Sequence, residues 1–128
     1  MAETKEKQTV NSYKELRVWQ VAIELAVEAY KTTGDFPRSE LYGLTSQMRR
    51  AAGSVAANIA EGHGRETTAH FIQFLRFSQG SLKEFETHLI IANRVGFLED
   101  HKFKELIDRS EDIGKMLRAL IRSLQDKL

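Results

Sequence analysis

The chain has 128 residues, 41% of them hydrophobic and 29% charged, with a formal net charge of +1. This suits one soluble domain with its own core, and one proline with eight glycines leaves too few turn residues for a many-stranded β fold. The absence of cysteine excludes disulfides, thiolate metal sites and cysteine nucleophiles and fits a reducing, cytoplasmic setting. At near-neutral charge, nucleic-acid binding would need a local basic patch.

Met1 to Asn11 is polar, without periodicity and without the apolar stretch of a secretory signal, so a disordered tail is expected before a single domain over residues 12–128. No apolar run approaches the length of about 18 residues that spans a membrane. Ser12 and Glu15 have capping-box spacing and are expected to open the first helix, which runs to Thr33 and stops at Gly34 and Pro37. Its polar residues Arg17, Gln20, Glu24, Glu28 and Lys31 fill a narrow sector. Leu16, Trp19, Ile23, Val27 and Tyr30 lie on one side of it and Val18, Val21 and Leu25 on the other. An apolar arc of roughly two-thirds of the circumference exceeds what one core needs.

The second helix is expected from Gly43 to Glu61, with Met48, Ala52, Val55, Ala56 and Ile59 on its core edge and Gly62 and Gly64 as a glycine C-cap. Its apolar residues are small, and Gln47, Arg50, Ser54, Asn58, Glu61 and Arg65 form a single stripe at spacings of 3 or 4. With Arg49, this stripe reads either as a structural hydrogen-bond network or as a phosphate contact through Arg49, Arg50 and Arg65. Glu61 would repel a phosphate and favours the network. Thr67 or Thr68 caps the third helix, which ends at Gly96; Phe71, Leu75, Ser78, Leu82, Phe85, Leu89 and Ala92 make a heptad-like seam. Leu98 and Phe103 staple the start of the fourth helix, whose seam is Phe103, Leu106, Ser110, Ile113, Leu117, Leu120 and Leu124. Four helices of about 18 to 28 residues on short loops imply an all-α, antiparallel up-down-up-down bundle.

YKELRVWQ at Tyr13, the run from Phe36 to Arg65 that contains QMRRAAGSVAANIAEGHGR, FLRFSQGSLKEFETHL at Phe74 and KMLRALIRSL at Lys115 together resemble one bacterial family, the four helix bundle proteins of the 23S rRNA intervening-sequence or S23 type. The resemblance covers nearly the whole chain after the tail. It implies a bundle assembling into a ring-like homopentamer, encoded within 23S rRNA gene insertions or elsewhere, and it assigns no reaction. The family is distantly similar to the accessory variability protein of diversity-generating retroelements, a pentameric barrel that binds nucleic acid and a reverse transcriptase. Partners implied by that analogy are RNA or DNA and a reverse transcriptase.

Catalytic chemistry finds little footing. The Glu-x-x-His pattern of di-iron bundles does not occur. Glu66 with His70 and Glu84 with His88 are isolated two-ligand pairs, short of the usual three or four ligands. No nucleophile elbow or phosphate loop frames the serines. The sequence therefore predicts no enzyme, no metal and no cofactor. Two outward basic stripes, Arg76, Lys83 and Arg94 on the third helix and Lys115, Arg118 and Arg122 on the fourth, are the nucleic-acid candidates, and a ring would multiply them. Surplus apolar surface at Trp19, Tyr30, Phe77 and Ile91 predicts an oligomer interface. The expected function is a non-enzymatic oligomeric scaffold associated with nucleic acid; the alternative is a structural or protein-interaction module that binds none.

Overall fold

Ser12 begins the part of the chain that the structure describes, residues 12–128 of a computed structural model; the expected tail, residues 1–11, lies outside it. The Ser12 hydroxyl accepts from the Lys14 N–H at 3.1 Å and closes a single 3₁₀ turn, Tyr13–Glu15. Leu16 then adopts an extended backbone, and helix α1 begins at Arg17, running Arg17–Thr33. The expected capping box is thus corrected to a separate turn. The Tyr13 ring folds back edge-on to Trp19 at 5.2 Å, and Gln20 Nε2 donates to the Lys14 carbonyl at 2.9 Å. These contacts require the chain to bend before α1.

A 3₁₀ turn at Arg38–Glu40 leads to α2, Leu44–His63; α3 is Thr68–Arg94 and α4 is Asp100–Gln125. Of the two threonines offered as a cap, Thr67 serves: its hydroxyl accepts from the His70 N–H at 3.1 Å. Leu98 is buried and Phe103 packs on the core, on either side of Glu99 at the start of α4. The four helices form an up-down bundle in which α2 packs most extensively, above all on α3, and the α1–α4 seam is the loosest.

The core selects one of the two apolar arcs of α1: Val18, Ala22, Leu25 and Ala29 are buried, while Ile23, Val27 and Tyr30 face outward. Met48, Ala51, Ala52, Val55, Ala56 and Ile59 fill it from α2, where alanines let the helix axes approach. On α3 the seam holds from Leu75 to Ala92, with Ile72 buried and Phe71 only half-buried; on α4 Ile121 is buried and Leu120 half-buried. Buried Ser78 donates its hydroxyl to the Val55 carbonyl at 2.8 Å, so a seam serine ties α3 to the α2 backbone with its polar group satisfied.

Of the two glycines expected to cap the second helix, Gly64 is the C-cap, its N–H donating to the Ala60 and Glu61 carbonyls at 3.2 Å, and Gly62 is not. Gly62 lies inside α2 and is buried; a Cβ there would stand 2.6 Å from Phe74 Cβ and 3.0 Å from Phe71 Cδ1. Gly64 follows the helix with ordinary right-handed angles. Gly62 therefore permits the close crossing of α3 over α2, and the helix runs two residues further than expected. Among the described residues, only Gly96, after α3, has a positive φ, 86°.

Candidate functional site

The adjacent arginines of α2 point to opposite neighbours. Arg49 reaches back to α1: its Nε donates to Thr33 Oγ1 at 2.8 Å, and its guanidinium lies over the Tyr30 ring at 4.7 Å. There it covers the last carbonyls of α1, where a cation suits the helix dipole. Arg50 reaches forward to α3, donating to Glu84 Oε2 at 2.6 Å while also bonding Gln47 Oε1 at 2.7 Å. Further along the same groove Ser81 donates to Ser54 Oγ at 2.9 Å, Asn58 Nδ2 donates to Ser54 Oγ at 3.0 Å, and Arg65 pairs with Glu61 at 2.7 Å. Arg65 also stacks over Phe74 at 4.6 Å. All seven polar residues singled out on this stretch thus have partners within the chain, and the ones that bridge helices bind α2 to α1 or α3. Glu84 and Ser81, the α3 partners, carried no periodic signal that would single them out for this role.

The two His–Glu pairs are occupied otherwise. The Glu84 carboxylate is held by Arg50, with His88 Nε2 3.6 Å away. His70 Nδ1 lies 2.9 Å from Thr67 Oγ1 at the α3 cap. Among the described residues, no group of three or more His, Asp or Glu stands where it could hold a metal ion.

The two basic stripes, by contrast, converge. Ser110 on α4 donates to Glu86 Oε2 on α3 at 2.5 Å. Lys83 and Glu86 of α3 and Gly114, Lys115 and Arg118 of α4 line a groove of about 450 Å³. A second groove, of about 270 Å³, shares Gln79 and Arg118 with the first and is lined also by Arg76, Arg122 and Gln125. The two run end to end along the α3–α4 seam. Lys83 pairs with Glu86 at 3.2 Å, but Arg76, Lys115, Arg118 and Arg122 make no ion pair among the described residues. Arg94 does not join them: it is 18 residues beyond Arg76 on α3, about 27 Å along the helix. Gln79, Leu82, Gly114, Ile121 and Gln125 are the lining residues that charge alone could not flag, although Gly114 shares a helix face with Arg118.

The opposite rim of α4 is different. The α1–α4 cleft has an apolar floor of Val21, Ile113 and Met116, but its rim mixes Arg17, Arg109 and Lys115 with Glu24 and Asp112. Lower on that seam Lys102 donates to Glu28 at 3.1 Å. This hydrogen bond holds the Glu28 carboxyl below the usual carboxylate range against a smaller desolvation effect, and it holds the Lys102 ammonium above its usual value.

Of the apolar interface candidates, Tyr30, Phe77 and Ile91 are 55%, 48% and 43% exposed. Trp19 is half-buried against the core and Tyr13. Ile23 and Val27 extend the Tyr30 surface along α1, and Tyr42 and Val95 are exposed where α2 begins and α3 ends.

Residues 14–119 match the 23S rRNA-intervening sequence protein family. The chain belongs to that family. This member shares its fold with a protein of unknown function from the S23 ribosomal protein family of Bacteroides thetaiotaomicron VPI-5482, known from a crystal structure. The two are 24% identical, the match covers 81% of this chain and 97% of the other, and the TM-score is 0.74. At that identity the likeness is one of fold. No curated protein matches the chain. No helix of the described residues is long and apolar enough to cross a membrane.

Proposed function

We propose that this 23S rRNA-intervening sequence family protein is a non-enzymatic scaffold that self-associates and binds nucleic acid through the α3–α4 groove. The observation that carries the reading is the convergence of Arg76, Lys115, Arg118 and Arg122 on one seam, none of them in an ion pair among the described residues although Glu86 and Glu111 line one end of it. A near-neutral chain offers little long-range attraction, so a local cluster of unpaired cations is what favours a polyanion. Self-association is supported by the outward Ile23, Val27 and Tyr30 of α1 and Phe77 and Ile91 of α3, large apolar side chains left uncovered by the bundle. In an oligomer each copy of the groove adds phosphate contacts, and the homopentamer implied by the family resemblance would repeat it five times. A cytoplasmic setting accords with the cysteine-free sequence.

The test is a mobility-shift titration of the Arg76→Glu/Arg118→Glu/Arg122→Glu variant against wild type. The expected result is loss of RNA and DNA binding with unchanged oligomer mass. Undiminished binding by the variant would overturn the assignment of the groove. Binding that is absent from wild type as well would leave the protein-interaction module as the reading.

A further inference from the structure

We infer that the α3–α4 groove seats one single-stranded nucleic-acid chain by its phosphodiester backbone, without reading its bases; this rests on the nucleic-acid reading above. Three observations lead there.

The cations stand on both walls of a concave seam, Arg76 and Lys83 from α3 and Lys115, Arg118 and Arg122 from α4. Packed helices have axes only about 8–10 Å apart, so the groove between their crests is narrow and suits one extended chain lying along it. A duplex would ride on the helix crests and leave the floor untouched. The floor at residue 114 is glycine backbone with neighbours close by: a Cβ there would lie 3.6 Å from Arg118 Nη1 and 3.6 Å from Leu82 Cδ2. Arg118 thus folds its guanidinium over the bare backbone at the centre of the seam.

The lining contains no aromatic side chain, its uncharged members being Gln79, Leu82, Gly114, Ile121 and Gln125. Single-strand binders hold bases chiefly by stacking them on aromatic rings, with arginine guanidinium planes as a lesser platform. A groove with cations and no ring holds phosphates and turns the bases out.

The seam is also charge-graded. Glu86 and Glu111 line one end, while Arg122 and Gln125 line the other, towards the end of α4. Phosphates are repelled at the Glu86 end, so the strand leaves the groove past Arg122.

The experiment measures the binding of fluorescent oligouridylate, oligoadenylate and oligo-dT, each of about 16 nucleotides, and of a duplex with the same number of phosphates. The full chain is compared with Gly114→Leu and with Gly80→Leu, a control on an exposed part of α3 where a Cβ meets nothing within 4 Å. Gly114→Leu fills the groove without altering charge. Wild type is expected to bind the three single strands within about threefold of one another and the duplex at least about tenfold more weakly; Gly114→Leu is expected to lose about tenfold on single strands and Gly80→Leu to stay within about twofold. Equal affinity for duplex, or more than about tenfold discrimination among the single strands, overturns the inference even if Gly114→Leu does not fold. So does a folded Gly114→Leu that binds like wild type. In each of those outcomes the nucleic-acid reading survives as a diffuse basic surface. No binding of any probe by wild type overturns both.

Discussion

Gly62 and Gly80 are both helical glycines, and their surroundings give them opposite consequences. At Gly62 an added methyl would meet Phe74 Cβ at 2.6 Å and Phe71 Cδ1 at 3.0 Å. Phe74 Cβ sits on the α3 backbone and cannot rotate away, so α3 itself would have to shift. Gly62→Ala should therefore destabilise the fold by about 1–3 kcal/mol, the usual cost of overpacking. At Gly80 nothing lies within 4 Å, and Gly80→Ala should stabilise by about 0.5–1 kcal/mol through helix propensity alone. Urea midpoints of the two variants check this; a shift in the same direction for both would contradict the packing described. The same scale explains why the expected C-cap at Gly62 is not there. A glycine near the end of a helical pattern reads as a stop, whereas here the glycine answers a phenylalanine nine to twelve residues later, a contact that exists only once α3 has turned back.

Between elements, the seams differ in how they are held. The α2–α3 seam is knit by Arg50–Glu84, Ser81–Ser54 and the buried Ser78 hydroxyl. The looser α1–α4 seam is bridged by Lys102–Glu28, both side chains less than a third exposed. Glu28 has its carboxyl pKa lowered in the fold, so its contribution is present at neutral pH and is lost as pH falls through that lowered value; Lys102, raised, loses its contribution only as pH climbs through its own raised value. Lys102→Met should cost at most about 1 kcal/mol at neutral pH, and the gap to wild type should close on acidification. A gap independent of pH, measured by urea unfolding, would show that the loss is one of packing. The helices, their order and most of the core are legible from 3–4 spacing, because a buried face leaves a periodic trace in the sequence. Which arc of α1 turns inward is not, since Val18/Leu25 and Ile23/Val27 are equally apolar and only the packing of the assembled bundle buries the first pair and leaves the second exposed. The individual basic stripes are legible too. Their union is not, because it depends on the α3–α4 register that places Glu86 against Ser110 and Leu82 against Gly114.

For the whole molecule, a near-neutral sum conceals a sorted surface. Most acids of α4 precede Lys115, Arg118 and Arg122, these three with Arg76 line the α3–α4 seam without an ion pair among the described residues, and most outward apolar residues of the helices lie on α1 and α3. Binding and self-association thus draw on different residues and should separate by mutation. A Val27→Glu/Phe77→Glu variant should remain helical but sediment as a 14.6 kDa monomer, whereas wild type should sediment as an oligomer. A monomeric wild type at micromolar concentration would contradict the proposed assembly. The most direct test of the central claim, an assembled bundle that holds nucleic acid through repeated α3–α4 grooves, is the salt dependence of oligouridylate binding to wild-type protein. At about 0.7 per phosphate on a single strand, the four groove cations without an ion pair among the described residues, Arg76, Lys115, Arg118 and Arg122, give a log–log slope of at most about −3. The account predicts a slope steeper than that, from several grooves engaged together. Binding that is absent, or that does not change with salt, would contradict it.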